Sequence, residues 1–320
     1  MPNVKMPVQG SLFGDEVGFL PEDKPPSLTS QPDHIGPTAV TYAPFRDILT
    51  RATGFMDAYD YTLNPYSGCS FGCTYCYAAF FSRDITKQES WGYWVTVKEN
   101  AVALLKKRKP GSLDGKRIYI SSVTDPYQPV EKHLELTRQL LKVMAEHHKP
   151  KLVVQTRSPT VVRDINLYRK IEESGGRVQI NMTVTTDDES IRSTFEPFCP
   201  SNPVRLEAIG EIQAAGLDTC ITMTPVLLVN DKHQFTENLV ATGVKDFIAQ
   251  PFHFRRGRFL AGTREQALDL MAEKLGCGRK DFVHEYEKRY REFFLHLKKE
   301  LQDRGLPELG EGKEGFRPPF

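Results

Sequence analysis

Lys116-Arg-Ile-Tyr-Ile-Ser121 and Lys151-Leu-Val-Val-Gln-Thr156 are two short apolar runs rich in β-branched residues. Between them the spacing of apolar positions predicts an amphipathic helix over residues 133–146. A buried-type strand, a helix and a second buried-type strand form a crossover unit. Two parallel strands need such a helix to carry the chain back to the same end of the sheet.

The pattern continues outward from this unit. Downstream come a predicted helix over 160–173, a strand over 178–185 and a helix over 205–215 that stops at Gly216. Strands over 219–225 and 246–250 follow. Upstream, a strand just before Cys69 and a helix over 95–107 bring the count to about six βα units. A closed barrel takes eight. The predicted fold is therefore α/β, an open partial (β/α)6 barrel over residues 41–250. Residues 251–306 add a basic and aromatic loop and two C-terminal helices, predicted over 263–275 and 282–302. Residues 1–40 and 307–320 are polar and rich in proline or glycine. Neither buries enough apolar area to offset its ordering entropy, so both are predicted as flexible tails, the first disordered.

Composition narrows the function. The 320 residues carry 42 basic and 41 acidic side chains, a formal net charge of +1. Any surface for a polyanion must then be a local patch. No apolar run approaches the roughly 20 residues that span a bilayer, and no secretory apolar core is present at the N-terminus. A cytoplasmic protein with no membrane partner is the simplest reading. The Gly-x-Gly-x-x-Gly match at Gly310-Glu-Gly-Lys-Glu-Gly315 has no predicted strand before it or helix after it and reads as chance. There is no Walker loop and no Gly-x-Ser-x-Gly elbow.

The chemistry lies in Asn64-Pro-Tyr-Ser-Gly-Cys69-Ser-Phe-Gly-Cys73-Thr-Tyr-Cys76-Tyr77. Three of the six cysteines crowd into eight residues, while Cys199, Cys220 and Cys277 are scattered singly. A chain of this size needs no disulfide staples, so the cluster points to metal. Thiolates spaced C-x3-C-x2-C suit three corners of a cubane and leave the fourth iron open to an outside molecule. Structural zinc wants four ligands. The nearest downstream histidine is His133, and no second cysteine pair exists.

With aromatic Tyr75 before its last cysteine, this loop resembles the radical S-adenosylmethionine (SAM) superfamily. Residues 64–229 resemble its spore photoproduct lyase-like branch, the radical SAM proteins akin to DNA repair photolyases. Cys73-Thr-Tyr-Cys-Tyr77, Ser121-Ser-Val-Thr-Asp125, Gln155-Thr-Arg-Ser158 and Phe195-Glu-Pro-Phe-Cys-Pro-Ser201 leading to Arg205 carry the resemblance. It implies a 4Fe-4S cluster on Cys69, Cys73 and Cys76, with SAM as second cofactor chelating the open iron. One-electron reduction, from a flavodoxin- or ferredoxin-type donor, would cleave SAM to methionine and a 5′-deoxyadenosyl radical that takes hydrogen from the substrate. By the same resemblance Thr124 and Asp125 would hold the SAM amino and ribose groups. Arg157 would pair with its carboxylate, Thr183 would assist, and Tyr75 and the Thr224-Pro225 turn would border the adenine.

The chain departs from photoproduct lyases in one respect: Ser122 stands where they carry a hydrogen-donating cysteine. A serine O–H is too strong a bond to return hydrogen as a thiol does. Tyr77, as a redox-active side chain, and Cys199, as a relocated thiol, are the candidate catalytic residues.

Two features point to nucleic acid. Phe252-His-Phe-Arg-Arg-Gly-Arg-Phe259 interleaves aromatics with Arg255, Arg256 and Arg258, a pairing of base-stacking rings with phosphate-neutralising charge. Gln9-Gly-Ser-Leu-Phe13 matches the Gln-x-Ser/Asp-Leu-Phe pattern of bacterial sliding-clamp-binding peptides, with Gln9, Leu12 and Phe13 as anchors. The expected function is a radical SAM enzyme of lyase-like or other radical chemistry acting on nucleic acid in a repair-like role. Its rivals are a radical SAM enzyme on a peptide or small molecule, and a non-catalytic iron–sulfur or zinc protein.

Overall fold

The computed structural model describes residues 31–254 and 262–320. The chain opens with β1 (His34–Ile35), β2 (Thr38–Ala43), β3 (Leu49–Arg51), β4 (Tyr61–Leu63) and β5 (Tyr66–Gly68). The cysteine loop and a 3-10 turn at Tyr77–Phe81 lead to α1 (Ile85–Glu89), β6 (Trp94–Lys98) and α2 (Ala101–Lys106). Strands and helices then alternate. β7 (Arg117–Ile120) is followed by α3 (Glu131–Leu134) and α4 (Leu136–His147), and β8 (Lys151–Thr156) by α5 (Ile165–Glu173). β9 (Arg177–Thr183) leads into α6 (Glu189–Phe195) and α7 (Asn202–Ala214). β10 (Asp218–Met223), α8 (Lys232–Val240) and β11 (Asp246–Ala249) complete the series, and α9 (Glu265–Leu275), α10 (Phe282–Asp303) and α11 (Gly312–Gly315) end the chain.

Strands β4, β7, β8, β9, β10 and β11 lie side by side in chain order, every neighbouring pair parallel. This is the expected partial (β/α)6 barrel, with β3 added antiparallel at the β4 edge. Its strands are buried along almost their whole length, as both faces are covered. Leu152, Val154, Ile180, Met182 and Ile221 join the main apolar core with the helices. The alternate residues Tyr119, Gln155, Thr183 and Thr222 point the other way, into the barrel, because side chains switch faces at each residue of a strand. Gln155 is the node there. It accepts from the Tyr119 hydroxyl at 2.9 Å and donates to Thr183 and Thr222 at 2.7 and 2.8 Å, so the inner wall is polar but satisfied. Among the described residues no helix is long and apolar enough to cross a membrane.

Three expectations are corrected. Residues 95–107 do not form one helix: β6 occupies Trp94–Lys98 and only Ala101–Lys106 is helical. The run Trp94-Val-Thr-Val-Lys98 buries Val95 and Val97 at period two and pairs parallel with β2 in a second sheet, ordered β1-β2-β6-β5. Second, the segment 1–40 read as a tail already contains β1 and the start of β2; the clamp-like motif at Gln9, Leu12 and Phe13 lies outside the described residues, as do Arg255, Arg256 and Arg258.

Third, residues 307–320 are not a free tail. Leu309 is buried, and Gly310 forms a parallel bridge to Ile248 on the open edge of β11. Its amide donates to the Phe247 carbonyl at 2.8 Å, and its carbonyl accepts from the Ala249 amide at 3.0 Å. The segment also reaches the connection between β3 and β4. There Phe316 packs edge-to-face on Phe55 and Lys313 pairs with Asp57 at 2.6 Å. A barrel of six strands leaves a gap that two more would close, and the C-terminal residues fill it. The glycines of Gly310-Glu-Gly-Lys-Glu-Gly315 serve this packing: a Cβ on Gly315 would fall 2.9 Å from the backbone of Gly310.

Candidate active site

The cysteine loop leaves β5 at Gly68, whose φ of +80° places it in the left-handed region. A Cβ there would lie 2.5 Å from the Trp94 carbonyl oxygen, so the loop can start only from glycine. From this point the loop is fastened on two sides.

The first fastening is the turn after β7. Thr124 donates its hydroxyl to the Gly68 carbonyl at 2.6 Å and accepts from Gln128 at 3.1 Å. The Gln128 side-chain oxygen Oε1 in turn accepts from the Ser70 amide at 2.9 Å. Asp125 is also engaged: one oxygen accepts from the Tyr127 amide and the Thr156 hydroxyl, the other from the Arg157 amide. Burial nevertheless pushes its carboxyl up, against these hydrogen bonds and Arg157. Thr124 and Asp125 thus help position the loop, and both also line the cavity. Ser121, at the head of the turn, adopts φ +81°, a strained value for a residue with a side chain.

The second fastening is the segment between α6 and α7. Three consecutive loop residues each meet it. Cys73 Sγ lies 3.6 Å from Cys199 Sγ, the Thr74 amide donates to the Phe195 carbonyl at 2.8 Å, and the Tyr75 hydroxyl donates to Glu196 at 2.5 Å. Glu196 is fully buried and is the hub. Arg205 donates to its Oε2 at 2.5 Å, while Thr185 joins Tyr75 on Oε1 at 2.8 Å and the Arg157 Nε stands 3.8 Å from that oxygen. Burial alone would raise this carboxyl; Arg205 and Arg157, helped by Tyr75 and Thr185, overcome that and hold it at about 2. Arg157 also donates to the Tyr75 hydroxyl at 2.9 Å, and its Nε is buried without a hydrogen-bond partner. Sequence reasoning assigned no role to Glu196 or Arg205. The signal was a charged residue inside the apolar run Phe195-Glu-Pro-Phe.

All of this surrounds one cavity of about 1160 Å3, lined by Cys69, Cys73, Cys76, Tyr75, Thr124, Asp125, Arg157, Thr183, Thr224 and Pro225. The C-terminal ends of the strands supply most of the wall, as the loops of a βα barrel do. Sites for one drug-sized ligand span roughly 300–1,000 Å3, so this one has room for more than a single small molecule. Tyr77 lines it too, half exposed, with its hydroxyl donated to the Ser122 carbonyl at 2.5 Å. Cys199 does not line it. Cys199, expected as a relocated thiol, is instead buried against Cys73.

The radical SAM superfamily profile matches residues 63–239, more than half of the chain. The chain belongs to the radical SAM superfamily. Among curated relatives, an uncharacterised protein of Methanocaldococcus jannaschii is 34% identical over 167 residues, 52% of this chain and 60% of the relative. An uncharacterised protein of Mycobacterium tuberculosis is 30% identical over 201 residues, 58% of each chain. The alignment thus spans about three-fifths of the length of these relatives. Among solved structures, a spore photoproduct lyase mutant with bound AdoMet and dinucleoside spore photoproduct is 12% identical. It covers 77% of this chain and 79% of that one, with a TM-score of 0.49.

Radical SAM membership implies SAM and an iron–sulfur cluster, and the residues present fit both. Three thiols and no other cysteine line the cavity. Burial pushes Cys69 up and Cys76 to about 11, whereas the neighbouring Cys199 thiol draws Cys73 down. Buried thiols of this kind lose their protons to a bound metal. Among the described residues no three His, Cys, Asp or Glu side chains converge on a point as the ligands of one ion do. A cubane makes no such demand, since each thiolate binds a different iron. Arg157 offers SAM a buried guanidinium whose Nε is unused.

Proposed function

We propose that the chain is a radical SAM enzyme with a 4Fe-4S cluster on Cys69, Cys73 and Cys76, acting on nucleic acid in a repair-like role inside the cytoplasm. The observation that carries the reading is that the three thiols, Tyr75, Arg157 and Thr183 line a single cavity. When bound, the cluster and SAM supply an electron and a carbon-centred radical able to take hydrogen from an unactivated C–H bond. The protein's own groups do the rest. Gly68 and the two fastenings hold the thiols in place, Arg157 and Tyr75 border the SAM side, and the buried walls exclude water. Thr183 and Gln155 offer a fixed polar surface, and Tyr77 stands at the mouth within reach of a substrate.

Nucleic acid is favoured by the rim. Phe55, Tyr77 and Phe81 are 41%, 44% and 64% exposed and line the cavity together with Arg51. Exposed rings beside a cation suit stacked bases and a phosphate backbone. Arg255, Arg256 and Arg258 fall in sequence between His253 and Thr263, two more lining residues. The reading also takes a flavodoxin- or ferredoxin-type electron donor, and a sliding clamp as partner for Gln9, Leu12 and Phe13.

The test is anaerobic reconstitution with iron and sulfide, EPR of the reduced protein with and without SAM, and assay of 5′-deoxyadenosine with and without single-stranded DNA. A cubane signal that shifts with SAM, and deoxyadenosine production stimulated by DNA, is expected. Production indifferent to any nucleic acid would move the substrate to a peptide or small molecule. A SAM-insensitive metal site making no deoxyadenosine would leave a non-catalytic iron–sulfur or zinc protein. Clamp binding is checked by titration with purified sliding clamp, where Leu12→Ala/Phe13→Ala should abolish it.

A further inference from the structure

Cys199 is a buried nucleophilic group beside the site for which the proposed chemistry has no use. It is held in place deliberately: its amide donates to the Glu196 carbonyl at 3.1 Å and its carbonyl accepts from Arg192 at 3.0 Å. This turn fixes Sγ at 3.6 Å from Cys73 Sγ, hydrogen-bonding distance for two sulfurs. The adjacent contacts from Thr74 and Tyr75 to the same segment fix the register, so the thiol cannot slide away from Cys73 without breaking them. Both sulfurs are shielded from solvent, Cys73 at 4% and Cys199 at 8% exposure.

In a pair of free thiols either sulfur can donate. Once Cys73 is bound to iron its sulfur carries no proton and can only accept, so in any hydrogen bond between the pair the S–H of Cys199 is the donor; its other acceptor, the Phe71 carbonyl, lies farther off at 3.9 Å. Hydrogen bonds to the sulfurs of an iron–sulfur cluster withdraw electron density from them and favour the reduced state. Resting on the radical SAM reading above, we propose that Cys199 is a positioning residue whose S–H donates to the Cys73 sulfur and raises the reduction potential of the cluster. The cavity side of the loop then serves SAM and substrate, while the opposite side is reserved for setting the potential.

The experiment is an EPR-monitored potentiometric titration of the reconstituted protein, comparing wild type with Cys199→Ser, Cys199→Ala and Cys199→Val. Iron and sulfide content are measured on the same samples. Alanine and valine remove the donor, and valine keeps the volume should alanine leave a cavity that prevents folding. Both are expected to assemble the same cluster and to disfavour its reduced form about tenfold, a downward shift of about 59 mV for a one-electron couple. Serine keeps an O–H donor and is expected to stay closer to wild type than to alanine. Equal potentials in all four proteins would overturn the proposal. So would loss of iron from the alanine and valine proteins alone, which would make Cys199 a ligand. A wild-type chain that assembles no cluster sinks the radical SAM reading itself, and this inference with it; that outcome is distinct from four equal potentials.

Discussion

The cysteine loop and the C-terminal segment are two irregular, glycine-containing stretches packed against the barrel, and they are built in the same way. Each uses glycine where a side chain would collide: Gly68 against Trp94 in the first, Gly310 against Gly315 in the second. Each is held by bonds to elements distant in the chain, Gln128 and Glu196 for the loop, β11 and the β3–β4 connection for the C-terminus. They differ in what their side chains carry. The loop presents three thiols to the cavity, whereas the C-terminal segment presents its backbone to an open sheet edge and one apolar ring, Phe316, to the cavity wall. The first carries reactive groups, and the second carries none of the thiols.

The sharpest test of this contrast replaces the thiols. Cys69→Ala/Cys73→Ala/Cys76→Ala should assemble no cluster and form deoxyadenosine only at background, measured by iron content and product assay. Its cluster-free thermal unfolding should stay near that of the cluster-free wild type. Coincident loss of folding would break the contrast.

Glu196 tests the fastening rather than the thiols. Glu196→Gln leaves the Arg205 guanidinium buried without its counter-charge, an expected cost of about 3–5 kcal/mol in urea unfolding. The acid dependence follows from the same group. Its folded value of about 2 lies below an unfolded value of about 4.3, so its contribution is complete above that and is lost as pH falls toward 2. Wild-type stability should therefore decline from about pH 4.3 downward more steeply than that of Glu196→Gln, a difference read from urea midpoints across the range.

Removing residues 307–320 should cost about 2–3 kcal/mol, roughly the burial of Leu309 against the core. The iron content after reconstitution should remain close to wild type. A truncated chain whose urea unfolding matches that of wild type would return the segment to the status of a tail. The smallest effect is expected from Gly310→Ala, about 1–2 kcal/mol from the clash of its Cβ with Gly315 and Ile248, again by urea unfolding.

Much of this molecule was legible in its sequence. The parallel strands were readable because both their faces are covered, which leaves continuous apolar runs such as Leu152-Val-Val154. The three thiols of the loop were readable because they are close in sequence. Residues 94–98 were misread because Trp94-Val-Thr-Val-Lys98 leads directly into a helix, and only the pairing of β6 with β2 separates the two. The fastening made by Thr124 and Asp125 was not legible because a turn residue near a site looks the same whether it faces the ligand or holds the loop that does.

By itself, then, the sequence determined the α/β class, the succession of six strands and the three thiols, since each is written in local periodicity or spacing. Only the tertiary structure decided that Cys199 stands behind Cys73 instead of in the cavity, that Glu196 gathers Arg157, Arg205 and Tyr75, and that the C-terminus closes the barrel. Those contacts join residues from 9 to 126 positions apart, or pair a backbone with an edge that exists only once the sheet has formed. Neither kind leaves a period or a motif along the chain.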